Sequence, residues 1–322
     1  TPGAIRADCA VGDSSLFGAI VSFPLAAGFS SHPLAIFPMR ISMAPLLEVR
    51  NLTVKFLAAR AAAHTAVDAV SFDVGPAEIV GLMGESGCGK TTLSLAILGL
   101  LASEQVEVSG SVLYRRKELL GLDERSLSGI RGAKISRVSQ EPGIALSPVL
   151  RVGDQVAEVL HAHSNWSWDR CRAEAESWLA RVGLLPIKRI FASYPHQLSG
   201  GQLQRVVLAQ ALACEPEIIV ADEPTASLDA LTQAGFLALI RELKAQLGIS
   251  VLLISHSAQV QASLADRILV MENGQIIEEG NFEHSSGKVR GAHSRVLLGL
   301  SSHAADDPSA NRESSVEEHA TR

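Results

Sequence analysis

Between Leu46 and Phe56 the chain reads Leu-Leu-Glu-Val-Arg-Asn-Leu-Thr-Val-Lys-Phe, with the near-alternation of apolar and polar positions that a half-buried strand requires. An Ala-rich turn and a second strand about Ala66–Val74 follow. The pattern then changes. Ile79-Val80-Gly81-Leu82-Met83 is apolar throughout and predicts a short buried strand, and Leu93-Ser94-Leu95-Ala96-Ile97-Leu98 predicts the apolar start of a helix. Val106–Tyr114 restores the alternation and reads as a hairpin on the same antiparallel layer. Between Val152 and Gly183 the period becomes helical, with Val156, Val159 and Leu160 on one segment and Trp178, Leu179 and Val182 on another. Beyond it the pattern predicts helix Gly201–Cys214, strand Ile218–Ala221, helix Ala230–Leu247, strand Val251–Ser255 and a closing hairpin turned by Asn273-Gly274. Strands and helices alternate, so the fold class is α/β, with a helical insertion and an antiparallel layer near the start.

Composition narrows this picture. A chain of 322 residues that is 47% hydrophobic can bury a large core, and a net charge of −6 offers no basic face to a nucleic acid. Cys9, Cys88, Cys171 and Cys214 show no paired spacing, which fits free thiols in a reducing compartment. Residues 1–42 carry only Arg6, Asp8, Asp13 and Arg40 as charges, and their apolar stretch from Leu16 to Phe37 is interrupted by Pro24, Gly28, Ser30, Ser31, His32 and Pro33. No spanning helix is expected there. Because Met43 directly precedes the first strand, 1–42 reads as disordered or as an over-long reading frame, and 281–322 as a largely disordered tail.

The candidate chemistry begins at Gly84-Glu85-Ser86-Gly87-Cys88-Gly89-Lys90-Thr91-Thr92, set between the buried strand and the helix start. This is the G-x-x-x-x-G-K-S/T pattern in the context it needs. Glycines let backbone N–H groups converge on an anion, and the helix N-terminus adds about half a positive charge. Lys90 supplies a mobile charge for β- and γ-phosphates, and the Thr91 hydroxyl can ligate Mg²⁺. The thiol of Cys88, at a helix N-terminus beside a lysine, is expected to be reactive.

A second stretch, Leu198-Ser199-Gly200-Gly201-Gln202, opens a helix whose bare N–H groups present another phosphate-binding surface. This pentapeptide resembles the signature of ABC-type ATPases. Other motifs stand in that family's order from about Leu46 to Gly280, among them Ile218-Ile219-Val220-Ala221-Asp222-Glu223, Thr225-Ala226-Ser227-Leu228-Asp229, Ser139-Gln140-Glu141 and Ser255-His256. The resemblance implies a P-loop NTPase with a RecA-like core in an ATP-binding domain at 46–280, carrying an antiparallel β-subdomain and a helical subdomain at about 142–200. It implies ATP and Mg²⁺ as cofactors. It assigns Thr91, Gln140 and Asp222 to the metal, Glu223 to the attacking water, and His256 to the γ-phosphate. Phe56 is the candidate for stacking on adenine, Ser199, Gly200, Gly201 and Gln202 are expected to meet the nucleotide of a partner subunit, and Asp229, in the stretch that resembles the family's D-loop, is expected to bind nucleotide.

Within the family, Gln140-Glu141-Pro142 together with Ala145–Val156 resembles the ATP-binding subunits of oligopeptide, dipeptide and nickel importers. The implied partners are transmembrane permease subunits, a second ATPase subunit that is identical or paralogous, and a solute-binding protein. The implied place is the cytoplasmic face of the inner membrane, peripherally bound. A soluble, non-transport ABC ATPase is the alternative. Repair-type members would carry a long coiled coil between phosphate loop and signature and translation-factor members two cassettes; neither shows in this sequence. A chain shortened to begin at Met43 is expected to fold and to hydrolyse ATP like the full chain, as circular dichroism and ATPase assays would show; loss of folding on shortening would refute this.

Overall fold

Alternating burial along Leu47–Phe56 (β1) and His64–Val74 (β2) gives an antiparallel pair in which Leu47 opposes Val74 and Phe56 opposes His64. The computed structural model describes residues 44–57, 63–101 and 105–281. The stretch at 1–42, with Cys9, and the tail after Asn281 lie outside the described residues. Along the chain follow β3 (Ile79–Met83), α1 (Lys90–Ile97), β4 (Val106–Tyr114), β5 (Lys117–Glu118), α2 (Glu124–Ser128) and β6 (Ile135–Val138). Four helices come next: α3 (Pro142–Ala145), α4 (Val152–His163), α5 (Trp168–Arg181) and α6 (Ile187–Ala192). After a 3-10 turn at Pro195–Gln197 come α7 (Gly200–Leu212), β7 (Ile218–Asp222), α8 (Ala230–Leu247), β8 (Ser250–Ile254), α9 (Ala258–Leu264), β9 (Arg267–Glu272) and β10 (Gln275–Asn281).

The strands form two sheets. One is antiparallel, in the order β2-β1-β4-β5; the other has six strands in the order β10-β9-β3-β8-β7-β6 and is parallel except for the edge strand β10. Every residue of β3, β7 and β8 is buried, because the larger sheet is covered on both faces. Side chains alternate between two cores. Ile79, Ile219, Ala221, Val251, Leu253, Ile268 and Val270 pack with α4, α5, α7, α8 and α9, which bring Val156, Trp178, Leu208, Phe236 and Val260. Val80, Leu82, Ile218, Val220, Leu252, Ile254 and Leu269 point the other way, onto Leu93 and Ile97 of α1 and Leu47, Val49, Leu52 and Val54 of β1. Each such aliphatic side chain contributes roughly 1.5–3 kcal/mol when fully buried.

The expected elements are present with ends shifted by one or two residues, and β6, α2, α3, α6 and α9 are additions to them. Ile135-Ser136-Arg137-Val138 lacks an apolar run because Ser136 and Arg137 interrupt it, the second pairing with Asp222. Among the described residues no helix is long and apolar enough to cross a membrane.

Two polar ties fix the sheet. Gln261 on α9 is fully buried, and its Nε2 lies 3.2 Å from the Leu82 carbonyl, 3.2 Å from that of Leu253 and 3.1 Å from that of Ser255. Gly81 makes room for it, since a Cβ there would collide with the Gln261 amide and press on Ala265. At the other end of β3, the guanidinium of buried Arg267 binds Glu78 at 3.3 Å, Glu279, and the Asp73 carbonyl at 2.7 Å. Burial alone would lower the Arg267 pKa; the bonds and charges of Glu78 and Glu279 outweigh it and hold the value above the ordinary one. Arg267→Ala therefore leaves Glu78 buried without its guanidinium and is expected to cost about 3–5 kcal/mol. Urea unfolding measures this, and an unchanged midpoint would contradict it.

Candidate functional site

β3 ends where the glycine-rich loop begins, and the loop is wedged between neighbours. A Cβ on Gly84 would strike the Met271 carbonyl, and one on Gly89 the Ala66 carbonyl. Gly87 and Gly89 adopt φ of 86° and 108°, the left-handed region that favours glycine. Gly89 caps α1 without offering a side chain, so the first N–H groups of that helix stay open to an anion. Lys90 is 7% exposed and folds back over the loop, its Nζ donating to the carbonyls of Gly84 at 2.8 Å and Glu85 at 2.7 Å, with Cys88 Sγ 3.6 Å away.

Beside it β7 ends in two carboxylates with different surroundings. Asp222 is 1% exposed and accepts from Arg137 Nη2 at 2.8 Å, with the hydroxyls of Thr91 and Ser94 each 3.4 Å away. Glu223 leaves the strand with φ of 46°, a left-handed backbone that costs an L-residue roughly 1–2 kcal/mol. Four contacts hold it there. Its N–H donates to the Ile254 carbonyl at 2.9 Å, and its carboxylate accepts from the His256 N–H at 2.9 Å and the Ser255 hydroxyl at 3.2 Å. His256 Nδ1 lies 2.7 Å from Glu223 Oε1; because a carboxylate only accepts, Nδ1 is the protonated nitrogen.

A cavity of about 400 Å³ gathers Phe56, Ser86, Gly87, Gly89, Lys90, Thr91, Thr92, Gln140, Glu223 and His256, residues that stand far apart in sequence. Asp222 lies beside its wall, next to Thr91. Gly84, Glu85 and Cys88 line a larger cavity of about 730 Å³ against β9 and β10, which shares Ser86 and Gly87 with the first. Of the two, only the smaller includes Lys90, Thr91 and Glu223. Its oxygen donors, the Thr91 hydroxyl and the Asp222 carboxylate with Gln140 on the wall, fit a hard cation such as Mg²⁺.

The second glycine-rich stretch goes elsewhere. Ser199, Gly200, Gly201 and Gln202 line neither cavity. Ser199 caps α7, its hydroxyl accepting from the Gln202 N–H at 3.3 Å while the Gln202 side chain accepts from the Ser199 N–H at 3.0 Å. Gly201 abuts Thr232 on α8, where a Cβ would leave no room. Asp229 caps α8 by accepting from the Leu231 and Thr232 N–H groups, and bonds to the Thr232 N–H and hydroxyl hold its carboxyl below the usual range. His64 and Ala66 line both cavities and Arg137 grips Asp222, yet motif reasoning singles out none of them. The one available signal is the need of a buried Asp222 for a counter-charge.

Comparison with known proteins gives three findings. The model of the ABC transporter family matches residues 67–226. The dipeptide transport ATP-binding protein DppD of Bacillus subtilis is 41% identical over 258 residues, 80% of this chain and 77% of that one; the oligopeptide transport ATP-binding protein AppD of the same organism is 40% identical over 242 residues, 75% of this chain and 74% of that one. Among solved structures, a dimeric post-hydrolysis state of the ATP-binding cassette MJ0796, bound to ADP and Pi, superposes with a TM-score of 0.66 at 30% identity, covering 74% of this chain and 99% of that one.

The loop thiol provides a direct probe of the cavity wall. Cys171 is fully buried, and burial pushes the Cys214 thiol up, whereas Cys88 is half-buried beside Lys90. Alkylation of the nucleotide-free protein, followed by peptide mass spectrometry, is expected to modify Cys88 before Cys171 and Cys214. Mg-ATP should protect it. Cys171 reacting first would overturn this expectation.

Proposed function

The chain belongs to the ABC transporter family of ATPases, and from that premise we propose that it is the ATP-hydrolysing subunit of a peptide importer, with the following division of labour. Lys90 releases the carbonyls of Gly84 and Glu85 to meet the β- and γ-phosphates, while the open N–H groups of α1 and the loop glycines hold them from below. Phe56, on the cavity wall, stacks on the adenine ring. Thr91, Asp222 and Gln140 would hold Mg²⁺, which when bound offsets phosphate charge. Glu223 orients and deprotonates the attacking water; its tie to His256 Nδ1 fixes the carboxylate, and Nε2 meets a γ-phosphate oxygen when the ring carries its second proton there.

One observation carries the rest. The cavity unites Lys90, Thr91, Gln140, Glu223 and His256, yet among the described residues Ser199, Gly200, Gly201 and Gln202 line neither this cavity nor the larger one beside it. The α7 N-terminus, with Asp229 nearby on α8, acts on the nucleotide of a second cassette, identical or paralogous, and that cassette's signature acts on this one. ATP is then clamped between two subunits, so binding and dimerisation are linked. The dimeric MJ0796 cassette supports this arrangement.

The names of DppD and AppD support peptides over nickel as the transported class, and transport over a non-transport role. The helical subdomain at about 142–200 is the docking face for permease subunits. Just after Gln140 in the chain it exposes Ile144 (79%) and Val149 (76%), apolar side chains left open to solvent. The subunit works peripherally at the cytoplasmic face of the membrane, with a solute-binding protein completing the importer.

The test uses the co-expressed transporter complex. Glu223→Gln keeps the shape but removes the base: it should bind ATP, lose hydrolysis by about 10²–10⁴-fold and accumulate a nucleotide-trapped dimer. Lys90→Ala should lose phosphate affinity and stay apart, and Ser199→Arg should block the clamp. Normal turnover by Glu223→Gln, or full activity with Ser199→Arg at this site, would sink the reading.

A further inference from the structure

Asp222 already has a cation. Arg137 stands opposite Val220 in the parallel register of β6 on β7, and this places its guanidinium at the end of β7, where Nη2 meets Asp222 Oδ2 at 2.8 Å. The Arg137 side chain is 26% exposed and that of Asp222 1%, so water screens the pair little. Arg137 Nε is buried without a hydrogen-bond partner among the described residues, and no other carboxylate there lies in ion-pair range of this guanidinium. An arginine placed to satisfy its own donors would not leave one stranded; the contact it keeps is the one with the charge. The carboxylate is thereby divided. Oδ2 faces Arg137, while Oδ1 faces the Thr91 hydroxyl at 3.4 Å, on the side assigned above to the metal.

We propose that Arg137 is a positioning residue that sets how strongly Asp222 holds a divalent cation: its resident positive charge weakens capture of a bare cation and reserves the carboxylate for a cation delivered with nucleotide. The inference rests on the assignment of Asp222 to the metal. Two positive centres on opposite oxygens of one buried carboxylate repel each other, whereas the phosphates of a bound nucleotide add the negative charge that lets both remain. Arg137 also pins one oxygen, so the other keeps its aim toward Thr91.

Mn²⁺ is the probe, because the same oxygen ligands bind it and its free form is counted by electron paramagnetic resonance. Titrated into the nucleotide-free full chain, Mn²⁺ should bind Arg137→Met and Arg137→Gln at least about tenfold more tightly than the unchanged protein, and Arg137→Lys no more tightly. Adding Asp222→Asn to Arg137→Gln should erase the gain. Equal or weaker Mn²⁺ binding by both neutral variants overturns the proposal. So does collapse of both, checked by circular dichroism, while Arg137→Lys stays folded, since Arg137 would then be a structural counter-ion. Failure of the underlying assignment looks different: Asp222→Asn alone would leave the effect of Mn²⁺ on ATP binding intact.

Discussion

A sheet buried on both faces can keep its chemistry only at its ends. β3, β7 and β8 have no exposed residue, and an unpaired polar side chain within them would cost several kcal/mol, so their interiors are aliphatic. Because β3, β6, β7 and β8 run parallel, their carboxyl ends share one edge. There the chain changes character four times: Met83 gives way to the glycine loop, Val138 to Ser139 and Gln140, Ala221 to Asp222 and Glu223, and Ile254 to Ser255 and His256. Residues drawn from the whole domain meet in one cavity because the core rejects them everywhere else.

Asp222 and Glu223 are neighbours in sequence, so the alternation of a strand would send the second acid to the opposite, buried face of the sheet. The left-handed turn at Glu223 resolves this by sending the second acid out of the strand's alternation. Asp222 stays under α1 with Arg137, Thr91 and Ser94; Glu223 turns to Ser255 and His256. Each acid acquires partners that the other does not share, so one dipeptide holds two carboxylates in two separate settings.

Much of this was legible in the chain. The buried strands, the glycine loop and the period change at Val152 all express local rules, and α8 falls on its expected bounds because Asp229 caps its start and Gly248, at φ of 66°, ends it. The cavity residues at the ends of β3, β7 and β8 were equally readable, since each interrupts an apolar run, whereas Gln140 after β6 was readable only from its motif. Arg137 was not: it lies 85 residues from Asp222, and within Ile135-Ser136-Arg137-Val138 it reads as an ordinary break in hydrophobicity. His64 was lost for a related reason. Its place in the cavity follows from its register opposite Phe56 across β1 and β2, and register belongs to the folded sheet.

The buried amide of Gln261 bears on how the cavity can move. It spans the ends of β3 and β8, bonding at once to the last turns of backbone before the glycine loop and before His256, and Gly81 keeps that bridge tight. The amide has two hydrogens for three carbonyls, so sliding one strand end against the other would break contacts that no water can replace. The loop and the histidine thus form a fixed jaw. The opposing jaw is β6, an edge strand held by β7 alone, with exposed Gln140 at its tip. β6 has one neighbour in the sheet where β3 and β8 each have two, so displacing Gln140 disturbs fewer ladder bonds than displacing the loop or His256.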